Sequence, residues 1–402
     1  MSLSQSHSAN RLLFAWEAGA NLGHILPLVR LANRLADDHL ECMIAARDLI
    51  STYIATRNSD LQFLQAPVWP LHQHLGNEDG QSGYLDVLSM MGFGDPDKLT
   101  PVLQSWNTLL DLIAPDIVIA DHCPALVALS NARHIPVVAV GNGYTMPPME
   151  YPAFPPIRAD RAPLLPEKRL AQSLEKGLSS LGYPEPASLK TALTTPERLV
   201  FSFPELDPYR GWRRETLYLP PEPLPDFVEP PLETRFFVYL GGELPGLSHI
   251  VQCLAELPIT VEYYLRSVPS TLTRFLKLRG IKVYDEPPDL GAVLPNVSHV
   301  LSQGGTGLCH ATMAAGRPHI IIPLHGESEM NFHTLSSMGV ARRLQSGMKS
   351  VDMKSALEQI IGDHELIVRA QQWGKRINAR PQPDGTTALE DIIQKMLQPV
   401  TG

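Results

Sequence analysis

Residues 302–307 have the sequence Ser-Gln-Gly-Gly-Thr-Gly and connect an apolar segment at 297–301 with a run of small residues that ends at Ala315. The apolar segment predicts a buried strand, and the spacing of the residues that follow predicts a helix that stops at Gly316. Glycine lets backbone N–H groups approach an anion, and a helix N-terminus adds unpaired donors. The stretch therefore predicts a loop suited to a diphosphate, although a tight strand-to-helix turn needs glycine even when no ligand binds.

The length and charge of the chain restrict its architecture and its partners. A chain of 402 residues is too long for one ordinary core and fits two domains of similar size. The 33 basic and 42 acidic residues give a net charge of −9, which argues against nucleic acid or an anionic membrane surface as a partner. Residues 1–10 lack the pattern of a secretory signal, and no apolar run reaches membrane-spanning length, so we expect a soluble, cytoplasmic protein without a transmembrane segment.

Neither the cysteines nor the scattered histidines show the spacing of metal ligands. The four cysteines are predicted to be reduced, mostly buried thiols without a disulfide or zinc. They are Cys42, Cys123, Cys253 and Cys309. Five further histidines are interpreted as core or solvated side chains rather than ligands. They are His72, His74, His122, His310 and His325, of which the last two flank the glycine stretch and could touch a phosphate or sugar.

Apolar segments alternate with amphipathic helical segments in both halves of the chain, which is typical of parallel sheets covered by helices on both faces. Strands are predicted at 12–16, 42–46, 116–120, 136–140, 236–240, 260–265, 282–284, 299–301 and 319–322. Helices are predicted at 25–36, 125–133, 247–256, 269–278, 308–315, 329–338 and 387–397. The fold class is therefore α/β, with two doubly wound sheets.

Two proline clusters divide this pattern. Prolines between 145 and 166 predict a long excursion without regular structure, and those between 219 and 232 predict an interdomain linker. The predicted domains are 1–218 and 233–380. A last segment, 381–402, carries a helix that could pack back on the first domain.

A histidine and an aspartate follow two predicted strands of the first half. His24 lies just after the first strand, at the start of a helix, and Asp121 ends the strand predicted at 116–120. Because ligands of open α/β sheets bind outside the carboxyl ends of the strands, these residues could form a catalytic dyad. A lone histidine near a helix start is more often structural, and both interpretations stay open at this point.

Two motifs at the correct separation resemble the family-one nucleotide-sugar glycosyltransferases, which include bacterial macrolide and plant secondary-metabolite enzymes. Residues 23–28, Gly-His-Ile-Leu-Pro-Leu, are similar to the Gly-His-x-x-Pro pattern that opens those chains. The stretch at 302–307, followed by Gly-Arg-Pro at 316–318, Pro323 and Asn331, is similar to their donor-binding signature. The resemblance covers both halves of the chain.

This resemblance implies a GT-B fold, two facing Rossmann-like domains of which the first binds the acceptor and the second the nucleotide sugar. It also implies inverting transfer without a required metal, with His24 as the general base and Asp121 as the residue that orients it. The implied donor-binding residues are Gly241, Gly242, Gln303, Gly304, Gly305, Thr306, Gly307, Glu327 and Ser328. The acceptor-binding residues are expected to include Asn21, Met90, Phe93 and Tyr144.

The donor signature departs from the family pattern at several positions. Gln303 stands where a histidine usually contacts the diphosphate, and Leu308 stands where a hydroxyl is usual. Glu327-Ser328 replaces an Asp-Gln pair that holds sugar hydroxyls. The loop at 241–243 is Gly-Gly-Glu rather than Gly-Ser. Either the site accepts an unusual donor, or the protein is a non-catalytic relative.

The sequence therefore predicts a glycosyltransferase of natural-product biosynthesis that moves a sugar from a nucleotide diphosphate to a hydroxyl of a small, apolar acceptor. The co-substrate is expected to be UDP- or dTDP-linked, with no other cofactor and no metal. The alternatives are a non-catalytic binding or activator protein of the same fold, and a sugar-nucleotide epimerase or hydrolase. The oligomeric state is open, with a homodimer as one option.

Overall fold

The structure is a computed structural model that describes residues 9–19, 22–37, 39–50, 52–69, 82–214, 216–220 and 224–398. The chain divides into two compact units. The first unit comprises Met1–Leu219 and Pro383–Gly402, and the second comprises Pro220–Gln382. Within the described ranges, no helix is both long enough and apolar enough to cross a membrane.

The first unit is built on a seven-stranded parallel sheet with the order β3-β2-β1-β4-β5-β6-β7. Its strands are β1 (Asn10–Trp16), β2 (Leu40–Ala46), β3 (Gln62–Gln65), β4 (Ile117–Asp121), β5 (Val137–Gly141), β6 (Glu197–Phe201) and β7 (Tyr218–Leu219). Its helices up to β7 are α1 (Leu22–Leu35), α2 (Tyr53–Thr56), α3 (Tyr84–Met91), α4 (Pro96–Ile113), α5 (Pro124–Ala132), α6 (Glu167–Ser180) and α7 (Leu189–Leu193). Every residue of β4 is buried, as expected of a central parallel strand covered on both faces.

The second unit is built on a six-stranded parallel sheet with the order β10-β9-β8-β11-β12-β13. Its strands are β8 (Arg235–Gly241), β9 (Thr260–Arg266), β10 (Lys282–Tyr284), β11 (His299–Ser302), β12 (His319–Ile321) and β13 (Ala341–Arg343). Its helices are α8 (Leu247–Ala255), α9 (Ser270–Leu278), α10 (Leu290–Val293), α11 (Thr306–Ala314), α12 (Gly326–Ser337), α13 (Ser350–Ile361) and α14 (His364–Asn378). The prediction of two parallel α/β sheets is confirmed.

The last helix, α15 (Gly385–Leu397), belongs to the first unit, where it packs against α1 and β6. Leu389 and Ile393 on this helix are fully buried in the core of that unit. Arg34 of α1 forms an ion pair with Asp384, the N-cap residue of α15, at 2.9 Å. The chain therefore returns to its first unit after completing the second.

The proline-rich segment predicted as a linker packs on the second unit. The Phe227 N–H donates to Asn378 Oδ1 at 2.9 Å, and Arg317 donates to Val228 O at 2.9 Å. The Phe227 ring lies so close to Gly316 and Gly374 that a Cβ at either glycine would be within 2.8 Å of it. The described part of this segment is therefore anchored rather than free.

The proline-rich excursion has no helix or strand between Gly141, which ends β5, and Glu167, which begins α6. Three polar side chains of the first unit hold it. Asp86 accepts from the Leu164 N–H at 2.6 Å, Arg198 donates to Pro147 O at 2.9 Å, and Arg213 donates to Met146 O at 2.5 Å. Buried side chains thus fix a segment that lacks its own hydrogen-bond ladder.

Candidate active site

The carboxyl ends of β1 and β4 bring a histidine and an aspartate together in the first unit. The two strands are neighbours, and Trp16 at the end of β1 pairs in register with Asp121 at the end of β4. His24 lies in the first turn of α1, the helix that follows β1. Its Nδ1 is 3.0 Å from Asp121 Oδ2, and the two side chains are only 11% and 6% exposed.

Two neighbours fix the plane of the His24 imidazole. Trp16 stacks on it with an interplanar angle of 14° and a centroid distance of 5.6 Å. Gly19 has a φ of +95°, and a Cβ at that position would lie 2.5 Å from His24 Nε2. Gly19 is therefore required both by its left-handed backbone and by the close approach of the ring.

The contact with Asp121 determines what the imidazole can do. A carboxylate beside Nδ1 accepts the Nδ1–H, which leaves the lone pair of the neutral ring on Nε2. The same carboxylate stabilises the imidazolium that forms when Nε2 takes a proton. The geometry would allow His24 to act as a general base that Asp121 orients, and both roles stay predictions.

A buried carboxylate that sequence reasoning missed lies directly after β1. Glu17 is fully buried and accepts hydrogen bonds from the indoles of Trp69 and Trp106 at 2.7 and 2.9 Å. It also accepts from the Ala125 and Leu126 N–H groups at the start of α5, at 3.2 and 3.1 Å. Burial raises the pKa of Glu17 from 4.5 to about 7. An acidic residue that ends an apolar strand was the available signal.

The predicted acceptor residues lie in different surroundings. Phe93 is fully buried and packs on Trp69 with ring centroids 6.1 Å apart, which is a core position. Met90 on α3 is partly exposed, and Tyr144 is 9% exposed in the excursion after β5. Asn21 lies outside the described residues, as do His72 and His74.

In the second unit, the glycine stretch connects β11 with α11 and forms the predicted strand–loop–helix arrangement. Gly304 has a φ of +80°, and a Cβ there would lie 2.7 Å from Ile321 Cγ2, so only glycine fits. Gly305 is the N-cap residue of α11 and Thr306 begins the helix. Among the residues that the structure describes, no atom beyond the adjoining backbone lies within 4 Å of a Cβ placed at Gly305 or Gly307. The helix N-terminus is therefore accessible on the side that these two glycines face.

Side-chain hydrogen bonds hold this loop from two sides. Ser302 Oγ accepts from the Gly304 N–H at 3.0 Å and lies 2.7 Å from His319 Nε2. Asn331 donates to both Gly304 O and Thr306 Oγ1 at 2.9 Å. Burial lowers the pKa of His319 from 6.5 to about 3. The loop is therefore rigidly supported, and the supporting role of His319 had no sequence signal.

Two glutamates contact the same loop. Thr306 donates to Glu327 Oε1 at 2.5 Å. The Gln303 side chain accepts from the Gly241 N–H at 3.1 Å and donates to Glu243 Oε1 at 3.2 Å. The end of β8 and the glycine stretch are thus joined through one amide side chain.

Gly242 and Ser328 have structural roles in this arrangement. A Cβ at Gly242 would lie 2.2 Å from Ser267 O, so the backbone needs glycine there. Ser328 is fully buried, donates to His325 O at 2.8 Å and forms a capping box with His325 at the start of α12. Ser328 therefore caps α12, and its predicted role in the donor site stays a prediction. His310 is also fully buried, which lowers its pKa from 6.5 to about 4.

Comparison with known proteins identifies the class of the chain. No family model matches. A glycosyltransferase of PGL/p-HBAD biosynthesis from Mycobacterium tuberculosis is 24% identical over an alignment of 403 positions. The alignment covers 90% of this chain and 87% of the relative. The aclacinomycin-T 2-deoxy-L-fucose transferase of Streptomyces galilaeus is 26% identical over 181 residues, 42% of this chain and 39% of that relative. The predicted enzyme class, glycosyltransferase, is confirmed by these relatives.

Solved structures identify the fold. The calicheamicin glycosyltransferase CalG4 superposes with a TM-score of 0.67 at 16% identity, covering 98% of this chain and 100% of that one. The chain has the GT-B fold. The glycosyltransferase VinC in complex with dTDP gives a TM-score of 0.64 at 18% identity, covering 96% and 99% of the two chains. The resemblance noted in the sequence is thereby confirmed.

Proposed function

We propose that the chain transfers a sugar from a nucleoside diphosphate to a hydroxyl of a small, apolar acceptor, with inversion at the anomeric carbon. The observation that carries this proposal is the 3.0 Å contact between His24 Nδ1 and Asp121 Oδ2 at the carboxyl end of the first sheet. A hydroxyl is a weak nucleophile at neutral pH, and a positioned general base that takes its proton lowers the barrier to attack. His24 is the residue with the chemistry and geometry to supply this base.

The proposed step balances as a single displacement. His24 Nε2 takes the acceptor hydroxyl proton while the acceptor oxygen forms a bond to the anomeric carbon. The bond between that carbon and the diphosphate oxygen breaks, and the nucleoside diphosphate leaves with the electron pair. Asp121 holds the imidazole in the tautomer that can accept a proton and stabilises the imidazolium that results.

The second unit supplies the proposed donor site. Gly304, Gly305, Thr306 and Gly307 present the N-terminus of α11, where backbone N–H groups favour a negatively charged group. As the leaving group gains charge, these donors stabilise it more strongly than they stabilise the bound donor. The dTDP in the solved structure of VinC supports a UDP- or dTDP-linked donor. The relatives' names support natural-product biosynthesis as the setting.

Metal independence and the acceptor class belong to the same proposal. We expect turnover to persist in EDTA because the backbone N–H groups at the α11 N-terminus can stabilise part of the charge of the leaving group without a metal. We expect an apolar acceptor because Met90, one of the predicted acceptor-binding residues, is a flexible apolar side chain that is partly exposed on α3. The cytoplasmic location also stays a prediction.

The decisive experiment measures release of UDP or dTDP from a panel of nucleotide sugars, with and without a library of apolar hydroxyl-bearing acceptors. Release that requires an acceptor, together with a glycosylated product, is expected. Release without any acceptor would indicate a hydrolase or epimerase instead. Thermal stabilisation by UDP or dTDP without turnover would indicate a non-catalytic binding protein, and a melting temperature unchanged by either nucleotide would overturn the donor site.

A further inference from the structure

The glycine loop of the second unit is bordered by carboxylates but contains no basic residue. Residues 302–307 include no lysine, arginine or histidine. Thr306 is hydrogen-bonded to Glu327, and Gln303 is hydrogen-bonded to Glu243. A diphosphate placed against two carboxylates experiences repulsion that the partial charge of one helix N-terminus offsets only in part. A tightly binding site would need a cation near the loop.

Arg266 is connected to this loop through one carboxylate. It ends β9 and pairs in register with Gly241 at the end of β8, and β8 lies between β9 and β11. Its guanidinium forms an ion pair with Glu243 Oε1, the same oxygen to which Gln303 donates. Neighbouring strands are about 4.8 Å apart, so Arg266 and the loop after β11 are separated by about 10 Å at the backbone. A long arginine side chain can cover much of that distance.

The backbone of Arg266 is fixed at the rim of the sheet. The Gly242 N–H donates to Arg266 O at 2.8 Å. Ser267, the next residue, has a φ of +53°, which is uncommon for a residue other than glycine. Ser267 O also lies where a Cβ of residue 242 would be. The turn after β9 is therefore held in a strained conformation that keeps Arg266 beside the loop.

The guanidinium keeps donors for a second partner. Arginine has five N–H donors and stays charged at every relevant pH. Within the described part of the chain, the Arg266 side chain donates a hydrogen bond to Glu243, and 25% of the side chain is exposed. A planar fork of this kind can contact a carboxylate on one edge and a phosphate on another.

We propose that Arg266 is a donor-phosphate ligand of this chain and that Glu243 holds it beside the loop while opposing the diphosphate. This inference rests on the proposed donor site. When a nucleoside diphosphate binds, Arg266 supplies the positive charge that Gln303 lacks. Glu243 neutralises Arg266 in the empty site and competes with the phosphates for it.

Arg343 offers a matched control on the other side of the same sheet. It ends β13 and pairs in register with Ile321 of β12, which is the neighbour of β11. It forms an ion pair with Glu329 and stacks on Phe332 at 4.4 Å. Among the described residues, no hydrogen bond joins it to the glycine loop. Arg343 therefore matches Arg266 in residue type, in its position at the end of a strand and in having a glutamate partner. It lacks the connection to the glycine loop that Arg266 has through Glu243 and Gln303.

The test measures the affinity of the full-length chain for UDP and for dTDP by titration calorimetry at low and moderate salt. Arg266→Gln is expected to weaken binding about 10- to 100-fold, the range for loss of a charge-assisted hydrogen bond, and to reduce its salt dependence. Glu243→Gln is expected to tighten binding several-fold because it removes a competing charge. Arg343→Gln is expected to change affinity by less than about twofold.

The opposite signs distinguish this role from a structural ion pair. If Glu243→Gln weakens binding as much as Arg266→Gln does, the pair only maintains the fold and the proposal is wrong. If Arg266→Gln binds like Arg343→Gln, Arg266 is not a ligand, although the donor site stands. If the unmodified chain binds neither nucleotide, the proposed donor site fails and this inference fails with it.

Discussion

His24 and Asp121 are 97 residues apart in the chain, yet His24 Nδ1 lies 3.0 Å from Asp121 Oδ2 in a nearly closed environment. Their proximity follows from the parallel pairing of β1 with β4, which places the carboxyl ends of both strands at one edge. An imidazole that a carboxylate already orients could accept a proton without rearrangement, which is the role proposed for His24. The contribution of this contact to catalysis can be measured by replacing His24 and Asp121 in turn.

Replacing either partner should reduce turnover while leaving nucleotide binding intact. We expect His24→Ala to lower kcat by about 10²- to 10⁴-fold, the usual contribution of a general base. Asp121→Asn should also lower kcat, because an amide can favour the wrong imidazole tautomer. Steady-state kinetics and thermal shifts with UDP or dTDP would check both expectations.

Asp116→Asn is the control for this pair. Asp116 lies just before β4, at the opposite end of that strand, where it accepts from the Arg11 N–H at 2.8 Å. Its replacement should leave kcat unchanged. Full turnover in the His24→Ala variant would show that the proton leaves through another group.

Gly19→Ala should impair catalysis more than it impairs folding. A Cβ at Gly19 would lie 2.5 Å from His24 Nε2 and would displace the ring from its present position. The positive φ adds a strain of about 1 kcal/mol to the cost of the contact. We expect kcat to fall about 10²-fold, since a misplacement of about 1 Å can have that effect.

Gly182→Ala separates strain from displacement of the ring. Gly182 has a φ of +81°, but no atom lies within 4 Å of its Cβ position. In urea unfolding, Gly182→Ala should lose only the stability that the positive φ costs, and Gly19→Ala should lose this amount plus the cost of the contact with His24. Only Gly19→Ala should lose activity. Equal kcat values for the two variants would contradict the proposed contact.

The sequence was sufficient where a buried strand is apolar throughout. The strands predicted at 116–120 and 136–140 are the fully buried β4 and β5, each with a shift of one residue. The polar helix α6 and the three-residue edge strand β13 were not predicted. Three residues are too few for β13 to show a periodic pattern, whereas the buried Leu170, Leu174 and Leu178 give α6 a helical spacing that was available in the sequence.

Some residues of the candidate site could also be predicted from the sequence, and others could not. Motif spacing could indicate His24, Asp121 and the glycine stretch, because a strand followed by a helix start can be inferred locally. The environment of Glu17 could not be inferred, since its indole donors Trp69 and Trp106 are 52 and 89 residues away. Long-range side-chain contacts of this kind leave no periodic signal in the sequence.

Gly305→Val should weaken nucleotide binding without disturbing the fold. Gly305 has φ −62° and ψ 140°, a conformation that valine adopts readily, and no atom lies within 4 Å of its Cβ position. The new side chain would occupy the space in front of the α11 N–H groups. We expect the Kd for UDP or dTDP to rise at least about tenfold, or about 1.4 kcal/mol, in calorimetry.

Gly347→Val serves as the comparison, because Gly347 also has open space around its Cβ position but lies outside the glycine loop. Its replacement should leave the Kd and the melting temperature nearly unchanged. Unaltered affinity in Gly305→Val would place the phosphates elsewhere on the second unit.

The stability of the protein should depend on pH through a histidine that supports the glycine loop. His319 is 1% exposed, and burial lowers its pKa from 6.5 to about 3. As pH falls below 6.5, His319 takes up a proton in the unfolded chain but stays neutral in the folded chain. The stability that neutral, buried His319 contributes is therefore fully present above pH 6.5 and is lost progressively toward pH 3. The slope from this one group is about 1.4 kcal/mol per pH unit.

His319→Gln should flatten that dependence between pH 6 and 4, as measured by urea unfolding at several pH values. His299 and His310, whose pKa values burial lowers to about 4, act in the same direction in both proteins. Glu17, with a pKa raised to about 7, acts in the opposite direction between pH 4.5 and 7 and is also common to both. The difference between the variant and the unmodified chain therefore isolates His319. If the stability of His319→Gln and that of the unmodified chain change equally with pH, the His319 imidazole is protonated in the folded protein. The Ser302 hydroxyl would then accept a hydrogen bond from His319 Nε2 rather than donate one to it.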